Sequence, residues 1–261
     1  MVYLLFFIGF GFLLIIYLYY STTSVVLERV VINEEEEADK IRLIHLSDFH
    51  YYRTGRLEKK VLSILEKEKA DMIVMTGDYL KTDCYPGFNN YLQEMNIDCP
   101  ALAVLGNHDF NHNLNKLEAV LRSAGVTLLR NEGLSMQIRG RTLNIIGIES
   151  PDRGYDDLKR ASLAVDLNSG YNIVLSHTYH IMDRIEPNNI DLVLAGDTHG
   201  GQINIPLVGI KLLKFFFRHD LRYISGSYKK NNTTLYINRG LGTSLLPVRY
   251  RSRPEVTLIE L

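Results

Sequence analysis

The chain of 261 residues is poor in cysteine and has no excess of basic charge. Its two cysteines, Cys84 and Cys99, flank one predicted helix and lack metal-ligand spacing, which excludes a thiolate cluster or a disulfide-dense scaffold. Free thiols and a single disulfide both remain open, and neither fixes the compartment. Lys and Arg number 29 against 30 Asp and Glu, a formal net charge of −1, so bulk composition gives no reason to expect a nucleic-acid partner. Internal repeats and low-complexity linkers are also lacking, so no second domain is expected.

Charge is missing altogether from one stretch. Residues Met1 to Tyr20 carry none and are dominated by Leu, Ile and Phe. As a helix at about 1.5 Å per residue this stretch spans about 30 Å, the thickness of a bilayer core. Tyr17, Tyr19 and Tyr20 fall where an interfacial aromatic belt lies. A cleaved signal peptide wants a basic start and a small-residue cleavage site, and neither is clear; a twin-arginine pair is absent too. A buried core helix is the plainer alternative, but one apolar on every face is unusual at a terminus. The expectation is an uncleaved, single-pass membrane anchor over residues 1–20. Arg29 and Lys40 follow it and no Lys or Arg precedes it, which faintly favours a cytoplasmic catalytic domain. Residues 21–40 read as a juxtamembrane strand, Ser24 to Ile32, and a solvated acidic loop, Glu34 to Glu37.

From Ile41 to the C-terminus, residues 41–261, the pattern is strand, loop and helix in alternation, an α/β arrangement. Predicted strands are Ile41–Leu46, Met72–Met75, Ala101–Leu105, Leu143–Ile148, Asn172–Leu175 and Leu192–Ala195, with Thr234–Asn238 and Glu255–Glu260 closing the fold. Helical spacing marks Leu57–Lys69, Leu117–Ala124 and a short stretch near Asp156–Leu163.

Five of these strands end in residues of one chemical kind: Ser47-Asp48-Phe49-His50, Thr76-Gly77-Asp78, Gly106-Asn107-His108-Asp109, Ser176-His177 and Gly196-Asp197-Thr198-His199. The carboxyl edge of an open α/β sheet is where sites assemble. Singly, each cluster has an ordinary reading as a turn or a satisfied histidine. Together they form a set of hard-oxygen and imidazole donors without cysteine, which argues against a structural zinc site and for a catalytic one. Of the other histidines, His45 is expected inside a strand, His112 and His219 on surface loops, and His180 without a ligand role.

This series resembles the calcineurin-like metallophosphoesterase superfamily from about Ile41 onward. The ending Asn238-Arg239-Gly240-Leu241-Gly242-Thr243-Ser244, with Pro247 and Arg249, is similar to a branch of bacterial membrane-associated phosphodiesterases that includes a UDP-2,3-diacylglucosamine pyrophosphatase. The resemblance implies a β-sandwich flanked by helices, with two divalent cations at the strand ends. It implies Asp48, His50 and His199 on the first cation, Asp78 bridging both, and Asn107 and His177 on the second. The family's remaining ligand is a histidine; this chain has Asp197 there, a harder donor that would favour manganese or magnesium over zinc, with iron also possible. His108 is then expected to act on the transition state or protonate the leaving oxygen, oriented by Asp109, unless Asp109 caps a helix.

The implied activity is hydrolysis of a phosphoric ester, as a phosphodiesterase or pyrophosphatase, with a water activated between the cations attacking phosphorus in line. A nucleotide-type or lipid-linked phosphoester would be the substrate. A phosphomonoesterase using the same centre and a non-catalytic module retaining the fold are the alternatives. Ile210 to Tyr223, where Lys211, Lys214, Arg218 and Arg222 alternate with Leu and Phe, reads as a core-packing segment or an interfacial patch.

Overall fold

The structure is a computed structural model that describes residues 2–32, 40–185, 189–205, 222–244 and 246–261. The acidic run Glu34–Glu37 and His219 lie outside the described residues, as does the basic and apolar segment apart from Arg222 and Tyr223. Arg222 donates to Asp183 at 3.1 Å.

Val2–Thr23 forms one apolar helix, α1, followed by Val26–Val31 (β1). Arg42–Leu46 (β2), Arg56–Lys67 (α2), Met72–Thr76 (β3), Tyr85–Glu94 (α3), Ala101–Val104 (β4), Leu114–Ser123 (α4) and Val126–Leu128 (β5) then alternate. Glu132–Ile138 (β6), Arg141–Gly147 (β7), Leu158–Ser162 (α5), Tyr171–Leu175 (β8), Leu192–Ala195 (β9), Gly226–Lys230 (β10), Thr233–Ile237 (β11) and Glu255–Glu260 (β12) complete the chain. Among the described residues the strands form two six-stranded sheets, ordered β1-β12-β2-β3-β4-β5 and β10-β11-β9-β8-β7-β6. Strands β2 to β5 run parallel, as do β7, β8, β9 and β11; β12 is antiparallel to β2, and β6 and β10 are antiparallel edges.

The parallel strands are apolar on both sides because both of their faces are covered. Leu43, Met72, Val74, Leu102 and Val104 pack with Leu143, Ile145, Ile173, Leu192 and Leu194 between the sheets. The alternate residues Ile44, Leu46, Ile73 and Met75 turn to the helical side, against Val61, Ile64, Leu117 and Leu121. α2 starts where Glu58 accepts the Gly55 N–H at 2.7 Å, and its first-turn carboxylate opposes the helix dipole favourably. α4 starts where Asn113 Oδ1 accepts from the Lys116 N–H at 3.1 Å, and buries Leu117 and Leu121 one turn apart. The sandwich flanked by helices is the expected α/β architecture. α1 is long and apolar enough to cross a membrane over Leu5–Thr23, a description a signal sequence also meets; 6% of that stretch is buried.

Candidate metal centre

Parallel neighbours place β2, β3 and β4 on one sheet, and β8 and β9 on the other, with their carboxyl ends at the same rim. The chain leaves these strands in a strained conformation. Asp48, His50, Asp78, Asp197 and His199 all have φ between 38° and 71°, and they are five of the eleven non-glycine residues described there. Left-handed backbone costs an ordinary residue of order 1 kcal/mol, so such clustering marks a site whose geometry the surrounding fold enforces. Close approach adds a second constraint: a Cβ on Gly106 would lie 2.6 Å from the Asp78 backbone nitrogen.

The side chains converge. His50 Nε2 and His199 Nε2 face each other at 3.2 Å, with the rings stacked at 24°. Asp78 Oδ2 lies 3.4 Å from both His50 Nε2 and His177 Nε2. His177 Nε2 is also 3.4 Å from Asp197 Oδ1, and His199 Nε2 is 3.5 Å from Asp48 Oδ1. Three sets hold their donor atoms within 4.8 Å of one another: Asp48, His50 and His199; Asp48, Asp78 and His177; and His50, Asp78 and His108. Asp48, His50 and Asp78 each occur in two of the sets, as expected of residues at the middle of the cluster.

Apart from a cation, this arrangement is electrostatically frustrated. Asp48, Asp78 and Asp109 are fully buried together. Burial pushes the Asp48 carboxyl up to about 7, with His177 pulling it down and Asp78 pushing it further up. Burial opposes the Asp78 charge too, yet His177, His50 and His108 together hold that carboxyl below its usual range. Burial, His50 and Arg249 keep His199 well below the ordinary histidine range, and burial lowers His50 to about 4, so both are neutral donors. His177 goes the other way: burial disfavours its charge, but Asp78, Asp197 and Asp48 hold a proton on it.

The residues fit a divalent cation. Asn107 Oδ1 is a buried atom without a hydrogen-bond partner among the described residues, although such atoms are nearly always satisfied, and His177 Nε2 meets only the carboxylates of Asp78 and Asp197, each at 3.4 Å. His177 Nδ1 lies 2.6 Å from the Thr76 carbonyl and donates to it, which directs the Nε2 lone pair toward Asp78 and Asp197. A proton and a divalent cation therefore compete for one lone pair among carboxylates. Carboxylate, amide and imidazole donors without thiolate suit hard to borderline ions.

Asp48, His50, Asp78, Asn107, His108, Asp109, His177, Asp197 and His199 all follow strands that end at this rim, but Asp109 does something other than expected. Its carboxylate accepts the backbone N–H groups of Gly106 at 2.7 Å, Asp78 at 2.9 Å and Tyr79 at 2.9 Å. It neither caps a helix nor bonds the His108 imidazole; it pins the loop after β3 to the loop after β4. His108 is exposed, its backbone N–H donates to Asp78 Oδ1 at 2.9 Å, and its ring meets His50 edge-on at 5.1 Å. His45 is buried, with Nε2 2.8 Å from Thr76 Oγ1. His112 bridges Asp83 and the Leu80 carbonyl, and His180 Nδ1 pairs with Asp152 at 2.9 Å. Both cysteines are free.

Sequence reasoning gave Arg249 no task. It is fully buried and donates to the carbonyls of Gly240 (3.1 Å), Gly242 (2.9 Å), Ser252 (3.1 Å) and His199 (3.3 Å). The visible signal was an arginine after a glycine-rich turn, which resembles a surface cation until the turn is seen to fold over it.

The sequence pattern of the family described as calcineurin-like phosphoesterase matches residues 41–201, from the start of β2 to just past His199. The phosphodiesterase YaeI of Escherichia coli (strain K12) is 30% identical over 235 residues, covering 87% of this chain and 84% of that protein. The metallophosphoesterase YkoQ of Bacillus subtilis (strain 168) is 29% identical over 225 residues, covering 84% and 82%. Among solved structures, a 5'-nucleotidase precursor from Thermus thermophilus shares the fold at a TM-score of 0.51 and 13% identity; 85% of this chain overlays 55% of that longer one. The chain belongs to the calcineurin-like phosphoesterase family, hydrolases of phosphoester bonds that work with divalent metal.

Proposed function

We propose that the chain is a membrane-anchored phosphodiesterase or pyrophosphatase whose centre takes two divalent cations. Asp48, His50 and His199 would hold one, Asn107, His177 and Asp197 the other, and Asp78 both. The observation that carries this reading is Asn107 Oδ1, a buried acceptor without a hydrogen-bond partner among the described residues, together with His177 Nε2 set 3.4 Å from both Asp78 Oδ2 and Asp197 Oδ1. When bound, two such cations lower the pKa of a shared water and neutralise charge on the phosphoryl oxygens.

The protein's own groups supply the rest. The His108 N–H fixes one oxygen of Asp78, leaving the other to face His50 and His177. Asp109 locks the two loops that carry Asp78 and Asn107, so the donors are held before substrate arrives. The exposed His108 imidazole stands at the mouth, where it would give a proton to the leaving oxygen. Asp197 replaces the family's histidine and brings a carboxylate beside His177, which favours manganese.

Anchoring by α1 is supported by its attachment to the domain: Thr22 Oγ1 accepts the Arg249 N–H at 2.8 Å. The exposed Arg53 and Arg56 near its exit favour the cytoplasmic side. The test is metal analysis and hydrolysis by the full chain in neutral detergent. Two equivalents of manganese and faster turnover of bis-p-nitrophenyl phosphate than of p-nitrophenyl phosphate are expected. Asp197→Ala should shed one equivalent and Asp197→His should shift preference toward zinc. A single equivalent in the unaltered chain, or a preference for the monoester, would refute the reading.

A further inference from the structure

A groove of about 520 Å³ runs between the metal centre and the membrane helix. His50 and Gly242 line its inner end; Tyr19, Thr22 and Thr23, the last turn of α1, line its outer end. Its volume falls in the range of small-molecule sites. Leu57 and the buried Leu241 give it an apolar side, and Arg53, Arg56 and Lys81 give it a cationic one.

The helix end is fixed against the domain at several points. Besides the Thr22–Arg249 bond, Arg253 donates to the Ser24 carbonyl at 3.0 Å and to Ser24 Oγ at 2.8 Å. The Arg253 guanidinium lies 5.5 Å from the Tyr20 ring centre, and Tyr17 meets Tyr250 edge-on at 5.4 Å. The same Arg249 whose N–H holds Thr22 sends its guanidinium to the His199 carbonyl. A spanning α1 therefore sets the bilayer surface at the outer end of the groove, with the centre at its inner end.

The charges in the groove are free to meet an anion. Arg53, Arg56 and Lys81 are exposed and form no ion pair among the described residues, and Lys81 Nζ is held only by long bonds to the carbonyls of Thr243 (3.4 Å) and Ser244 (3.5 Å). Glu58, a carboxylate that also lines the groove, is already engaged by the Gly55 N–H. Tyr19 and Tyr52 stand 56% and 61% exposed at the mouth, which suits a boundary between headgroups and acyl chains.

Resting on the phosphoesterase reading above, we infer that this groove is a subsite for an amphiphilic phosphoester taken from the bilayer surface. The phosphate headgroup lies at the inner end with its charge toward Arg53, Arg56 and Lys81, and the acyl stem runs along Leu57 and Leu241 toward Tyr19. Coverage of even two CH₂ groups by that apolar side is worth about tenfold in affinity over the same headgroup without a chain.

The test is calorimetric titration of the metal-loaded full chain in neutral detergent, with empty micelles as blank. The probes are dioctanoyl phosphatidic acid and glycerol 3-phosphate, which share a headgroup and differ in the acyl chains. The lipid should bind at least tenfold tighter, and Arg56→Glu combined with Leu57→Asp should reduce that ratio to about one. An unchanged melting temperature would confirm that the double variant folds; if it does not, Leu57→Ser alone should still lower the ratio severalfold. Equal binding of both probes by the unaltered chain, or a ratio that survives the variants, would overturn the subsite. Because binding is read without turnover, loss of bis-p-nitrophenyl phosphate hydrolysis alone would instead count against the phosphodiesterase reading.

Discussion

Arg249→Lys keeps the charge and most of the stem, and it isolates the geometry of the buried guanidinium. Four carbonyls, on Gly240, Gly242, Ser252 and His199, are served by three guanidinium nitrogens spread in a plane. One ammonium nitrogen cannot reach all four, and at least two buried acceptors lose their partner. Each such loss costs roughly 1–3 kcal/mol, so the variant should lose about 3–5 kcal/mol of stability, a large share of a typical domain's total. Burial already lowers the arginine to about 10; a lysine in the same place sheds its proton in the folded state before it does in the unfolded chain, so the loss should ease as pH rises and deepen on acidification. The assay is urea unfolding of the metal-free chain in neutral detergent, followed by circular dichroism, with manganese affinity measured in parallel. Affinity should fall about tenfold or more, because His199 is held through its carbonyl by the lost bonds. A change below about 0.5 kcal/mol with unaltered metal affinity would show that the four carbonyls find other partners, and that Arg249 does not organise the site.

Asp78→Asn keeps the shape and removes the charge shared by the proposed ligands, so bound manganese should drop below one equivalent and hydrolysis should vanish; two retained equivalents would exclude the bridging role. His108→Ala should lower kcat by about two to four powers of ten with metal content unchanged, and metal loss equal to that of Asp78→Asn would place His108 among the ligands. The His45 imidazole is held down to about 3 by burial, against 6.5 when unfolded, so between those pH values the unfolded chain binds the extra proton and stability falls as pH falls. Its contribution is intact above pH 6.5 and declines by about 1.4 kcal/mol per unit below it; urea midpoints of the native chain and His45→Gln at pH 7 and pH 5.5 should converge on acidification, and parallel lines would refute the assignment.

The strands that carry the site were legible because their two buried faces write continuous apolar runs, as in Met72–Thr76 and Leu192–Ala195. Among the described residues, three of the four edge strands were not, β1 within the expected Ser24 to Ile32 being the exception. Glu132–Ile138 and Gly226–Lys230 each expose a face, mix glycine, serine and charge, and depend for their conformation on one antiparallel neighbour. Val126–Leu128 is too short to show a period. The donor residues could be picked out in the chain because their chemical type is unusual at strand ends, whereas Asp109 could not be assigned from its neighbours. Its partners are Gly106, Asp78 and Tyr79, and two of those lie some thirty residues away. A carboxylate beside a histidine looks like a dyad in sequence; the fold turns it inward to backbone donors and leaves the histidine at the surface.

Backbone strain at Asp48, His50, Asp78, Asp197 and His199 follows from what the rim has to do. Residues two apart share a face in an extended chain, so Asp48 and His50, or Asp197 and His199, could face one cavity without a turn, but the strand would then carry the second donor of each pair onward past the rim. Left-handed residues just past the strand ends turn the chain abruptly and keep both donors of each pair at the rim. Glycine would adopt that conformation at less cost, but it carries no donor. The fold meets the cost with clamps that hold no donor themselves: Asp109 across the β3 and β4 loops, Arg249 across the segment after β11, and the Thr76 carbonyl behind His177. Donors held this way cannot spread to relieve the repulsion among Asp48, Asp78 and Asp109. The protein alone can answer that repulsion only with protons, on Asp48 near neutral pH and on His177, and a cation that displaces them relieves the charge without moving the backbone.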